Sequence, residues 1–423
     1  MNTNKQDRRI LSVILIVALA LALAMLPGSL AAADDHAVSD EIVVKVAPGH
    51  AVAAINATYG STTLRPLLGS RAIYLLALAP ASDPDEVLEA MEADRRLVYA
   101  EPNLISDVFE ANPHKSYSLS TPLWLGTEPQ PYDNQYATSM LELSAAHRIS
   151  SGAGTVVAVL DSGVHRDHPK LRTRIAAGGY DFVEDDANPA DVGNGFDDDA
   201  DGAVDEAVGH GTHVAGIVRL VAPAAKIMPL RVLDSDGRGN AFLAAEAFLH
   251  AAEQGADVIN ASFGVSNESE LMEDVVEDVT EDHGVVVVGA AGNAGSTAKQ
   301  YPAAGEDVLA VGSVGPTGTR SVFTNHGPWV PVFAPGEKIV STFPANGYAA
   351  WSGTSMAAPF VAGQAALLRG LDSRLTVEQM SARIVTTAKP LVGGPTGAAV
   401  IDIPASLNAS DLEEDDNDGD ADD

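Results

Sequence analysis

The chain has 423 residues, 46% of them hydrophobic and 20% charged, which suits one large globular domain with a sizeable core and a smaller companion. Its 58 acids against 25 bases leave a formal net charge of −33, a balance that repels phosphate backbones and argues against nucleic acid as a partner. With no cysteine, disulfides, thiolate catalysis and cysteine zinc sites are excluded.

Lys5, Arg8 and Arg9 precede an apolar run at 10–26, which Pro27 and Gly28 break and Ala31, Ala32 and Ala33 follow. That order predicts a secretory signal over 1–33, cleaved after Ala33. The run is short for a membrane span, so membrane attachment is expected only if the signal stays uncleaved. Arg8 and Arg9 leave the Sec and twin-arginine routes both open. The expected location is secreted or in the cell envelope.

Residues 38–109 read as a small α+β domain of ferredoxin-like type. Apolar strands at 41–46, 72–78 and 97–100 alternate with helical spacing at 51–59 and 83–95. Periodicity then disappears, and Pro, Ser and Thr recur over 110–131, which predicts a linker. From 132 to 407, short runs rich in Val and Ile (156–160, 227–233, 258–262, 285–290 and 308–314) alternate with helical patterns. Runs of mostly continuous apolar character mark strands buried on both faces, so an α/β fold with a mostly parallel central sheet is expected. The acidic stretch 408–423 is expected to be a disordered tail.

Three segments in the large domain carry candidate chemistry. The run 156–160 ends in Asp161, at a strand end where open α/β folds place ligands and catalysts; an ordinary turn aspartate is the alternative. His210 stands in Gly209-His210-Gly211-Thr212-His213. Its imidazole suits a general base, although two histidines three residues apart could also share a metal. Ser355, in Gly353-Thr354-Ser355-Met356-Ala357-Ala358-Pro359, begins a helical stretch. A helix start offers free N–H donors to a developing oxyanion, but a serine there is more often only a cap. Asp, His and Ser in that order form one of three known arrangements of a catalytic triad.

These blocks resemble the Asp, His and Ser signatures of the subtilases, the subtilisin-like serine proteases. The likeness extends through Val221-Ala222-Pro223, Arg231-Val232-Leu233-Asp234, Tyr301-Pro302-Ala303 and Ala334-Pro335-Gly336. It implies a three-layer subtilisin-like fold and a secreted serine endopeptidase with Asp161, His210 and Ser355 as its triad. It also implies an oxyanion hole of Asn293 and the Ser355 N–H. Gly237, Arg238 and Gly239 resemble one substrate-pairing edge and Ser262, Phe263 and Gly264 the other, with Ala290, Ala291 and Gly292 as a further pocket wall. Residues 38–109 resemble the family's propeptide, an intramolecular inhibitor that is removed by self-cleavage, here expected between about 106 and 131. Protein or peptide substrates, a monomer and no cofactor for the chemistry are expected. The alternative is a catalytically inactive subtilase-like binding or structural module, against which Asp161, His210, Asn293 and Ser355 all argue.

The chain departs from many relatives just after His213, where only four residues separate Gly216 from Val221. The longer calcium loop found there in relatives is therefore not expected. Asp197, Asp199, Asp201 and Asp205 around Gly202 instead resemble the start of another calcium loop, with Val208 at the twelfth position in place of a glutamate. A structural calcium is one reading, and a solvated acidic loop is the other.

Overall fold

The computed structural model describes residues 37–69, 71–110, 122–391 and 397–409. The stretch read as a signal and nearly all of the acidic tail lie outside the described residues. Among the described residues, no helix is long and apolar enough to cross a membrane.

The N-terminal part runs β1 (Ala37–Val46), α1 (Val52–Tyr59), β2 (Thr62–Pro66), β3 (Ile73–Ala77), α2 (Pro84–Glu92) and β4 (Leu97–Asp107). Its antiparallel sheet has the order β2, β3, β1, β4. β2 has no counterpart in the sequence reading, because Thr62, Thr63, Arg65 and Pro66 lack an apolar run. Asp83 caps α2, accepting from the N–H groups of Asp85 and Glu86, and Pro84 follows at the first turn. Ile42, Val44, Ile55, Leu76 and Met91 close a small core between sheet and helices.

The large part is a layered α/β domain. Its central strands include β5 (Val156–Asp161), β6 (Lys226–Arg231), β7 (Val258–Ala261), β8 (Val286–Ala290), β9 (Val308–Val314) and β10 (Val332–Pro335), in the spatial order β10, β9, β8, β7, β5, β6. All of these pairings are parallel. Every residue of β7 to β10 is buried, as expected of a sheet covered on both faces. One apolar cluster packs the helices α3 (His210–Val221) and α6 (Thr354–Leu371) onto one face. A second packs α4 (Ala241–Glu253) and α5 (Glu270–Glu277) onto the other. Each large side chain sealed this way, such as Phe360 or Phe248, contributes about 1.5–3 kcal/mol of burial.

The stretch read as a linker is not structureless throughout. Leu123–Gly126 pairs antiparallel with Gly347–Trp351, which in turn pairs with Ile339–Phe343. Trp124 lies against Gly347, and its ring meets that of Phe343 edge-on at 6.1 Å. Four residues are too few to show a period, which is why this strand is invisible in the sequence. Residues 111–121, within the expected linker, lie outside the described residues.

The two parts are joined edge to edge. Ile105, Ser106 and Asp107 at the end of β4 pair antiparallel with Asn240, Gly239 and Arg238. Glu101 accepts from the Ser269 hydroxyl at 2.7 Å and from the N–H groups of Glu270 and Leu271, so it caps α5 from across the junction. The Asn103 carboxamide does the same for α4, accepting from Phe242 N–H at 3.1 Å.

Candidate active site

The site lies at the carboxyl ends of the parallel strands β5 and β8, beside the first turns of α3 and α6. Asp161 ends β5 and is fully buried. Its Oδ1 accepts from the Ser162 N–H at 2.8 Å and faces His210 Nδ1 at 2.7 Å. His210 opens α3, and the glycines around it have local causes. Gly209 sits at φ 97°, where a Cβ would also strike the Phe343 ring. A Cβ on Gly211 would strike the Gly163 carbonyl and crowd Asp161. The Trp351 ring stands edge-on to His210 at 5.3 Å.

Ser355 is the second residue of α6 and is buried. Asn293 is fixed from behind, since its Oδ1 accepts from the Thr354 N–H at 2.9 Å and hydroxyl at 3.0 Å. That turns its Nδ2 toward Ser355. The space between them holds the carboxylate of Glu110, which is 1% exposed. Ser355 Oγ donates to Glu110 Oε2 at 2.7 Å, His210 Nε2 lies 3.3 Å from the same oxygen, and Asn293 Nδ2 donates to Oε1 at 2.8 Å. Ser355 Oγ also reaches the Ser262 carbonyl at 3.0 Å.

Burial alone would lower the His210 imidazole, but Asp161 and then Glu110 outweigh it and push it up to about 10. His213 has the opposite fate. Its Nε2 lies 3.0 Å from the Ile339 carbonyl and 3.1 Å from that of Ala349, and burial pushes it down to about 3. Held by backbone carbonyls, it does not join His210 in a metal site, the alternative left open by the spacing.

The expected binding residues fall into two sets. Asp107 exchanges both backbone hydrogen bonds with Gly264 at 3.1 Å, and Val108 N–H donates to the Gly237 carbonyl at 2.9 Å. The strand end therefore lies between the edges of Gly237, Arg238 and Gly239 on one side and Gly264 on the other. Phe109 follows against Gly264, in the same apolar cluster as Ala290. The Ser262 hydroxyl donates to the Ser355 carbonyl at 3.1 Å, and Gly292 N–H donates to the Thr354 hydroxyl at 3.0 Å. The side chains of Phe263 and Ala291 instead belong to core clusters.

In the acidic loop, carboxylate oxygens of Asp197, Asp199 and Asp236 lie within 4.8 Å of one another, as do those of Asp199, Asp201 and Glu206. Asp205 is outside both groups, because its carboxylate accepts from the N–H groups of Asn194 and Gly195. Asp201 Oδ2 and both Glu206 oxygens are buried without a partner. Burial, then Asp236, Asp201 and Asp199, push Glu206 up to about 7. Orphaned hard oxygens are what a calcium ion would satisfy.

Sequence reasoning missed Glu110, Thr354, Glu206 and Asp236 at these sites. Thr354 stood inside the serine block and could have been found there. Glu110 had no local signal, since only the register of β4 carries it to Ser355.

Residues 152–417 match the model of the subtilase family. A thermophilic serine proteinase of Bacillus sp. (strain AK1) is 36% identical over 319 residues, 72% of this chain and 72% of its own length. Thermitase of Thermoactinomyces vulgaris is 38% identical over 282 residues, 64% of this chain and 94% of its own. The solved structure of fervidolysin from Fervidobacterium pennivorans, a keratinolytic enzyme related to subtilisin, superposes with a TM-score of 0.72 at 24% identity. It is matched over 90% of this chain, which spans 62% of that longer one. The chain belongs to the subtilase family, and is a serine endopeptidase of subtilisin type.

Proposed function

We propose that Ser355 is the nucleophile, His210 the general base, Asp161 its orienting carboxylate, and Asn293 with the Ser355 N–H the oxyanion donors. The observation that supports this best is the single Glu110 carboxylate touching Ser355 Oγ, His210 Nε2 and Asn293 Nδ2 together. Nucleophile, base and donor thus converge on one spot, as acyl transfer requires. His210 takes the Ser355 proton as Oγ attacks the scissile carbonyl carbon. Asn293 and the backbone N–H hold the oxyanion. His210 then protonates the leaving amine, and water hydrolyses the acyl-enzyme by the same route in reverse.

Residues 38–109 act as an exported enzyme's own inhibitor, removed on maturation. The strand through Asp107 lies where a substrate strand would pair, and the Glu110 carboxylate fills the oxyanion seat. While Glu110 holds Ser355 Oγ and Asn293 Nδ2, an outside substrate cannot seat its carbonyl there. Substrates are proteins or peptides with an apolar residue before the cut bond, a preference for which buried Phe109 beside Gly264 and Ala290 speaks.

Calcium bound by Asp197, Asp199, Asp201, Glu206 and Asp236 would tie the acidic loop together and neutralise its crowded charge. It takes no part in the chemistry.

A serine-directed fluorophosphonate tests the whole reading. The matured chain should be labelled and should digest casein, while Ser355→Ala should lose both and accumulate uncut. Labelling that survives Ser355→Ala would overturn it.

A further inference from the structure

Between Asp161 and His210 lies a buried carboxylate that the reaction above does not use. Asp191 is 2% exposed. Its Oδ1 accepts from the Gly209 N–H at 2.8 Å, and the Ser162 hydroxyl lies 3.5 Å away. Its Oδ2 accepts from the Thr212 N–H at 3.1 Å and from the Thr212 hydroxyl. These donors are all neutral, and each flanks a member of the triad. Ser162 follows Asp161, Gly209 precedes His210, and Thr212 lies in the same first turn of α3.

The helix that carries His210 has a capping problem. Its first residue must follow Gly209, because φ 97° and the Phe343 ring leave no room for a side chain there. Glycine provides no side-chain cap, and the free N–H groups of the first turn need acceptors. Asp191 accepts from two N–H groups at this helix start, Gly209 and Thr212, from 18 and 21 residues upstream. The network also closes on the strand side. The Gly211 N–H donates to Ser162 Oγ at 3.1 Å, and the His165 N–H donates to Thr212 Oγ1 at 2.8 Å. The end of β5, the turn after it and the start of α3 are thus bound through one carboxylate. The 2.7 Å contact between Asp161 and His210 spans the same gap.

Accepting the triad proposed above, we infer that Asp191 is a positioning residue for the Asp161–His210 pair. It supplies from a distance the cap that Gly209 cannot, and so fixes the angle at which the imidazole faces Ser355. Its carboxylate touches neither Ser355 nor the seat of the scissile carbonyl, so it acts on turnover and leaves substrate binding alone. Misplacing a base by a fraction of an ångström to about 1 Å costs up to about 100-fold in rate.

The test uses the full chain, matured, as Asp191→Asn, Thr212→Val and the double variant. A peptide p-nitroanilide gives kcat and KM, with melting temperature measured alongside. The expected result for Asp191→Asn is kcat lowered about 10- to 100-fold with KM held within about twofold. Thr212→Val should show a smaller fall of the same kind, and the double variant should lose less than the two losses combined. Unchanged kcat in folded Asp191→Asn, or losses that combine in full, would overturn the inference. So would a fall that merely tracks the unfolded fraction. If Asp191→Asn does not fold, Thr212→Val decides: lowered kcat at constant KM supports the inference, and unchanged kcat defeats it. Fluorophosphonate labelling of the parent chain keeps the two proposals apart. An unlabelled parent sinks the triad reading, whereas a labelled parent with an indifferent Asp191 sinks only this one.

Discussion

His210 stands between two carboxylates, Asp161 at Nδ1 and Glu110 near Nε2. Its pKa of about 10 belongs to that closed state. Removing the outer charge destabilises the imidazolium, so in a Ser355→Ala background Glu110→Gln should make His210 titrate below about 10. Nitrogen NMR of the ring would read the midpoint, and an unmoved midpoint would contradict the role given to Glu110. The linkage to stability has a definite sign. The folded value lies above the ordinary imidazole value of about 6.5, so the stabilisation is complete below that pH and is lost as pH rises toward 10. At this scale the sequence was most legible for Asp161, His210 and Ser355. Each sits in a short block whose small neighbours make room for it, as Gly211 does beside Gly163 and Asp161. Glu110 and Asp191 were illegible for the opposite reason, since their partners lie across the fold.

The acidic loop before α3 is an element whose spacing only partly announced its geometry. A twelve-residue calcium template points to Val208 for its last ligand and to Asp205 before it. The folded loop instead turns Asp205 onto the backbone of Asn194 and Gly195 and brings in Glu206 and Asp236. Asp236 comes from the turn after β6, which no local pattern can reveal. If calcium satisfies the orphaned oxygens of Asp201 and Glu206, a chelator should lower the melting temperature by several degrees. Glu206→Gln should weaken the binding, and Asp205→Asn should leave more of it intact. A melting temperature indifferent to chelator would leave the loop merely solvated. Strands behaved differently from loops. β7 to β9 could be read directly because burial on both faces makes them mostly apolar. Leu123–Gly126 and β2 could not, being short and half-exposed.

Over the whole molecule, three ion pairs cross the junction and help to hold the N-terminal part in place. Lys45, Arg65 and Arg71 reach across the junction to Asp274, Glu246 and Asp278 at 2.6, 2.7 and 2.6 Å. These pairs are partly exposed, so each is worth only about 0.2–1 kcal/mol and is open to screening. Raising NaCl from about 0.05 to about 0.5 M should therefore shorten the lag before activity appears in freshly refolded chain. A lag unaffected by salt would assign the hold to Glu101, Asn103 and the strand pairing alone. The ion pairs and helix caps of this docking were not readable beforehand, because an alternating pattern marks a strand but not the side chains it will meet. The seat that grips Glu110 has one more bearing on how such a catalyst lives. Every cut leaves a fragment ending in two anionic oxygens, shaped and charged much like the group already lodged there. Spent fragments should therefore compete with fresh substrate, and adding carboxylate-ended peptide at the start of a digest should slow it.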